Sequence, residues 1–303
     1  MLGDAGGLGA ASLLRERAPR ERGRVRTFTA IVRANPLGSA CAVVLVLICL
    51  VALFAPRLSP YPPTSTHLTE QLQSPNSRHL LGTDNLGRDQ LSRIIYGARI
   101  SMTVGLVSMV VSGIAGLLLG VTGGFFGGPW DYAVGRVVEV VQALPGIILL
   151  LALVAIAGRS VLAIGLVLGL FAGIIGSRIL RATTLTVTAQ PFIDVARSLG
   201  AGPLRIMVRH ILPNLFPIAI VLASINVGMA ILAEAGLSFL GYGVAPPAAS
   251  WGGLISIQGR TYMVLAPWLF YAPVLALMIV IFCCNMLGDS LRDRLDPRLR
   301  GSG

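Results

Sequence analysis

"DVARSLGAGPLRIMVRHILPN", Asp194 to Asn214, is a charged, helix-forming stretch interrupted by Gly-x-Gly-Pro, and apolar runs of membrane-crossing length lie on both sides of it. Gly200 is placed to end one helix in the left-handed conformation. Gly202 and Pro203 suit the cap and first position of a second. In that second helix Leu204, Met207, Val208 and Ile211 recur at i, i+3, i+4 and i+7, an apolar face. Arg205 and Arg209 lie on another face, and Pro213 is expected to stop or kink the chain before the next apolar run. The segment therefore reads as two short helices at an angle, offering apolar and basic groups together. On these grounds it either lies on anionic lipid with snorkelling arginines or docks a soluble partner.

The surroundings place it in a membrane protein. Of 303 residues 54% are hydrophobic and only 12% charged, about half the charge of a soluble domain. The net charge is +11, and all 24 basic residues are Arg. These arginines cluster between apolar runs, which membrane topology explains better than nucleic-acid binding does. Six segments approach the roughly 20 apolar residues a spanning helix needs: 37–55, 100–121, 137–157, 161–180, 215–233 and 264–287. Gly113, Gly116 and Gly120 in the second favour close helix packing. The apolar run after the basic residues 1–36 is longer than a signal-peptide core, so it reads as a retained first span. With the N-terminus inside, the inner segments, counted as 1–36, 122–136, 178–214 and 288–303, hold 17 arginines and the outer ones 7, which agrees with the positive-inside rule. Five of those seven fall in the first outer loop, 56–99, beside only three acids. The opening stretch then falls within an inner loop, 181–213, and residues 288–303 form an inner tail.

Few residues point to chemistry in this chain. Cys41, Cys49, Cys283 and Cys284 lie inside apolar runs without metal or redox spacing. His67, His79 and His210 lie outside the runs, lack ligand-like neighbours, and read as exposed histidines. "GTDNLGRD", Gly82 to Asp89, lacks the spacing of a calcium loop, and Thr83 or Asp84 is expected to cap a helix. No Walker A or G-x-S-x-G motif occurs. Glu139, Asn226 and Glu234 are the polar residues near or within spans, and intramembrane polar groups are candidates for a translocation path. Glu139 and Glu234 lie near span ends, where interfacial exposure accounts for them, and mid-span Asn226 suits an interhelical hydrogen bond.

Asp194-Val195-Ala196, then Gly200, then His210-Ile211-Leu212-Pro213 resemble the cytoplasmic loop signature of ABC importer permeases, with Asp for Glu and Val for Ala in its first two positions. "HLLGTDNLGRDQLSRIIYGARIS" (His79–Ser101), "AEAGLSFLGYGVAPPAASWG" (Ala233–Gly252) and "NMLGDSLRDRLDPRLR" (Asn285–Arg300) resemble the C-type subunit of dipeptide/oligopeptide (peptide/nickel) importers. The resemblance runs from about Pro36 to Arg300 and implies an all-α, six-span type I permease bundle with both termini cytoplasmic. It implies a heterodimer with a second permease, two cytoplasmic ATPase subunits that bind ATP and Mg²⁺, and an external solute-binding protein. It implies no cofactor or catalysis in this chain. By the same resemblance Asp194, Ala196, Leu199, Gly200, Ala201, Leu204, Arg205, Arg209, His210, Leu212 and Pro213 form the ATPase-coupling element. An ion-coupled carrier is the competing class, but such carriers use mid-span charge, which is scarce here.

Overall fold

The computed structural model describes residues 35–295. Residues 1–34 of the basic N-terminal segment, and 296–303 with the end of the C-terminal signature, lie outside the described residues. Helices α1 (Pro36–Leu53) and α2 (Ala55–Leu58) lead into a long loop, 59–89, followed by α3 (Gln90–Phe126), α4 (Gly128–Ala143), α5 (Gly146–Ala157) and α6 (Val161–Thr188). Then come α7 (Pro191–Ser198), α8 (Pro203–Ile206), a π turn (Met207–Ile211) and α9 (Leu212–Phe239). The chain closes with α10 (Trp251–Leu254), a second π turn (Ile255–Gly259) and α11 (Trp268–Leu295).

Five helices are long and apolar enough to cross a membrane, and a sixth crossing exists only if α4 and α5 count as one span bent by 100°. The third expected span is thus broken. Pro145 drives Leu144 into extended backbone, ψ 144°, as the residue before proline prefers. The second span begins at Gln90, ten residues before the apolar run suggests, and its 37 residues extend about 55 Å at 1.5 Å per residue.

The bundle centres on α3 against α6. Glycines alternate between them at four-residue spacing: Gly116, Gly120 and Gly124 on α3, Gly165, Gly169 and Gly173 on α6. A Cβ on Gly120 would sit 2.7 Å from the Leu180 Cβ, and one on Gly169 2.6 Å from the Val111 Cβ, so only glycine permits this approach. Gly113, by contrast, faces open space. Most of the glycine series expected from sequence to favour packing is therefore used within the chain.

Candidate functional site

The stretch 191–213 folds as two short helices, but not as two independent ones. Helix α7 ends in a full Schellman cap: Gly200 N–H donates to the Arg197 carbonyl at 2.9 Å and Ala201 N–H to the Ala196 carbonyl at 3.0 Å. Gly200 has φ +79°, the left-handed value expected of it, and Gly202 caps α8 with Pro203 at its first position. Pro213 does not stop the chain. Helical structure runs from Pro203 to Phe239 without interruption, because a wide turn absorbs the missing donor: Leu212 N–H reaches the Met207 carbonyl, an i→i+5 bond.

That wide turn splits the expected apolar face, burying Ile211 and leaving Leu204 and Val208 outside. Ile206 and Ile211, five apart, are 2% and 0% exposed, whereas Leu204 and Val208 of the expected apolar face are 70% and 56% exposed. Ile193, Ile206 and Ile211 pack with Val121 of α3, Leu180 of α6, and Leu215 and Ala219 of α9; Ala201 and Leu212 pack against the same cluster. Ala196 is also buried.

The opposite side is open. Val195 and Leu199, the latter 83% exposed, join Leu204 and Val208 there, with Arg205, Arg209 and Pro213 exposed beside them. Asp194 pairs with Arg197 at 3.7 Å, and His210 sits half-buried against the Phe192 ring. The segment is keyed into three long helices by one face and presents apolar side chains with the other. Ile206 was not legible as part of it, because its spacing of five from Ile211 matches no ordinary helical face, and Phe192 and Ile193 lie before the loop signature.

The three polar span residues belong to separate networks. Asn226 Nδ2 donates to the Ser108 carbonyl at 3.2 Å and to the Ser108 and Ser112 hydroxyls at 3.1 and 2.8 Å, tying α9 to α3 as an interhelical bond. It also lines an apolar cavity of about 360 Å³ among α3, α5, α6 and α9. Glu234 is not interfacial: it is fully buried, and its Oε1 accepts from the Ser238 and Ser250 hydroxyls, both at 2.7 Å. Its Oε2 has no partner among the described residues. Glu139 is exposed and pairs with Arg136 at 2.7 Å.

At the far end of the bundle, the loop 59–89 is a buried polar network. Asp89, not Thr83 or Asp84, caps α3, accepting from Ser92 N–H at 2.8 Å. His79 is buried rather than exposed, its Nδ1 2.9 Å from Asp89 Oδ1. Asp84 accepts from Leu86 N–H, Arg88 N–H, Arg88 Nε and Gln258 Nε2, with Arg93 Nε at 3.6 Å. Among the described residues no group of three His, Cys, Asp or Glu is placed to hold a metal ion.

The family described as the binding-protein-dependent transport system inner membrane component matches residues 113–301, and the N-terminal TM domain of oligopeptide transport permease C matches residues 26–75. The glutathione transport system permease protein GsiD of Shigella dysenteriae is 36% identical over 270 residues, 89% of each chain. A Brucella suis chain whose name places it in a peptide transport system as a permease is 39% identical over 263 residues, 86% of this chain and 88% of that one. Among solved structures, an inward-facing MetNI methionine ABC transporter chain overlays with a TM-score of 0.51 at 20% identity, over 68% of this chain and 95% of that one, a likeness of fold. The chain belongs to the binding-protein-dependent inner membrane components: it is a permease subunit of an ABC importer, a multi-pass protein of the bacterial inner membrane.

Proposed function

We propose that the chain forms half of a heterodimeric permease that imports peptides, and that Asp194–Pro213 is where ATP-driven motion enters it. The observation that carries this reading is the two-sidedness of that segment. Ile193, Ile206 and Ile211 lock it onto α3, α6 and α9, while Leu199 and Leu204 stand exposed. A close-packed apolar contact transmits displacement rather than absorbing it. A partner gripping Leu199 and Leu204 would therefore move three long helices at once.

In this reading ATP and Mg²⁺ bind on two cytoplasmic ATPase subunits, this chain supplies no catalytic group, and an external solute-binding protein delivers the peptide. The relatives named for glutathione and peptide transport support the substrate class. Both termini and 181–213 lie in the cytoplasm, with 56–99 and 236–263 outside, in accord with the 17-to-7 division of arginines. Two of the five arginines in the first outer loop, Arg88 and Arg93, are buried against Asp84, which lightens the external charge on the loop that fits the rule worst. The second permease subunit rests on the resemblance alone, since the glycine seam is used within this chain.

The test is reconstitution of the full transporter with its loaded binding protein. Leu204→Asp is expected to leave assembly of the two permeases intact and remove substrate-stimulated ATP hydrolysis. Wild-type stimulation in that variant would return the segment to a lipid-surface role. Stimulation of the wild-type complex by a small solute other than peptides would overturn the substrate assignment.

A further inference from the structure

Between α4 and α6, at the end of the bundle where the coupling segment sits, lies a cavity of about 540 Å³, within the range of small-molecule sites. Its wall carries five charged side chains. Asp131 is held by Arg181, whose Nε and Nη2 donate to its two carboxylate oxygens. Glu139 is held by Arg136, which also bonds the Tyr132 hydroxyl. Arg178 is the fifth, and among the described residues no acid pairs with it: its Nη1 donates to the neutral Gln142 Oε1 at 2.7 Å. The cavity therefore carries one uncompensated positive charge, at a known position.

Arg178 is also at an expensive depth. It lies ten residues before the end of α6 at Thr188, about 15 Å of helix. The 28 residues of α6 span about 42 Å, close to a bilayer with its headgroups. Arg178 thus falls near the hydrocarbon region, yet it is exposed. An arginine there faces a watery cavity or a counter-charge, because facing lipid tails is costly. The cavity it lines offers such a surface, and a solute that entered it would meet a guanidinium with donors to spare.

We propose that Arg178 is a binding residue for the carboxylate of the transported solute, which on the peptide reading above is the peptide C-terminus. Arg presents a planar fork that matches a carboxylate. The two neighbouring cations are already neutralised, so they do not compete for it. Gln142 holds the guanidinium in place without cancelling its charge. Helix α6 runs on from Arg178 toward α7, so the same helix that meets the solute is displaced by the coupling segment.

The experiment uses the complete reconstituted transporter with its binding protein. Labelled alanine peptides of two and five residues are supplied as free acids and as C-terminal amides. Uptake is compared in wild type, Arg178→Gln and Gln142→Glu, and the free-acid-to-amide ratio in each variant is divided by that of wild type. The binding protein is common to all, so its own preference cancels. Arg178→Gln is expected to lower the ratio about tenfold or more, the scale of a lost charge-assisted hydrogen bond. Gln142→Glu keeps Arg178 and should strengthen any structural role it has, yet it places an internal carboxylate where the solute's would bind. It is expected to lower the ratio comparably. An unchanged ratio in Gln142→Glu, with peptides still imported by wild type, overturns the assignment even if Arg178→Gln fails to assemble. If wild type imports no peptide in either form, the peptide reading itself falls and takes this inference with it.

Discussion

The two ends of the bundle are held together by different chemistry. At the end proposed to lie outside, here the outer end, loop 59–89 and the segment around Gln258 are wired by directional bonds: Asp84 collects four donors, and Gln258 bridges to Asp84 and Asn85 across more than 170 residues of sequence. Trp251 and Trp268 pin the same cap through indole N–H bonds to the Ile94 and Thr83 carbonyls. At the inner end, the segment 191–211 is held mainly by apolar burial, and nearly all its polar bonds are local. Hydrogen-bond networks fix one geometry and cost heavily when a member is lost. An apolar key transmits displacement through close packing without directional bonds, and it leaves its far face free. The outer end is completed within the chain, whereas the inner end leaves apolar side chains exposed, which on the proposed reading a partner covers.

The comparison predicts opposite responses to mutation, and the largest loss of stability belongs to the outer end. Asp84→Ala would strand Arg88 and Arg93, with side chains only 11% and 7% exposed, and is expected to cost about 3–5 kcal/mol, as breaking a buried charge pair does. The measurement is thermal unfolding of the purified complex with a thiol-reactive dye, for which buried Cys41, Cys283 and Cys284 are native reporters. A melting temperature equal to wild type would mean that the outer network is ornamental. Next comes Ile206→Ala, which empties a buried site at the inner end. Its expected cost is about 2–3 kcal/mol, toward the low side for such truncations because a site near the end of the bundle can partly collapse. It should also blunt stimulated ATP hydrolysis, since the key fits loosely. Full stimulation alongside lost stability would separate packing from coupling.

How much of this was legible depends on the range of the signal. Local signals read well. The turn at Gly200, the cap at Gly202-Pro203 and most span positions follow from neighbours in sequence, and all are found. Signals that need a distant partner did not. Glu234 lies near the end of an apolar run and so looks interfacial, but Ser250 of the returning outer segment buries it. His79 looks solvent-exposed until Asp89 and Glu70 close on it. The pairing of Asp131 with Arg181 spans 50 residues, and without it Arg178 cannot be singled out as the arginine left over. The π turn failed for another reason: a 3.6-residue template groups Leu204, Met207, Val208 and Ile211 on one face, and one extra residue in the turn buries Ile211 together with Ile206 while Leu204 and Val208 stay exposed.

Smaller in cost is the backbone at Gly200. A Cβ there would meet nothing within 4 Å, so the only penalty is its φ of +79°. That penalty is about 1–2 kcal/mol for most residues and less for Asn, which enters this region more readily. Gly200→Val is expected to reduce stimulated ATP hydrolysis strongly by redirecting α8, and Gly200→Asn to retain most of it. Equal activity in the two would show that the left-handed turn does not aim the segment.

The smallest expected cost to the chain itself falls on Leu199, and it cuts most sharply between the two ends. Its side chain is 83% exposed, so Leu199→Ser removes almost no packing within the chain. Surface changes of this kind stay within about 0.5 kcal/mol, and the thiol-dye melting curve should overlay wild type. If the outward apolar face is a docking surface, however, Leu199 would be one of its central contacts. Truncating such a contact commonly costs an interface about 2 kcal/mol or more, roughly thirtyfold in affinity. The measurement is paired: melting temperature of the complex formed by the permeases alone, and retention of the ATPase subunits on it through purification. An unchanged melting curve with the ATPases lost is the expected result. An unchanged melting curve with the ATPases retained and stimulated as in wild type would mean that the exposed apolar face meets lipid, and that the inner end is as complete without a partner as the outer one.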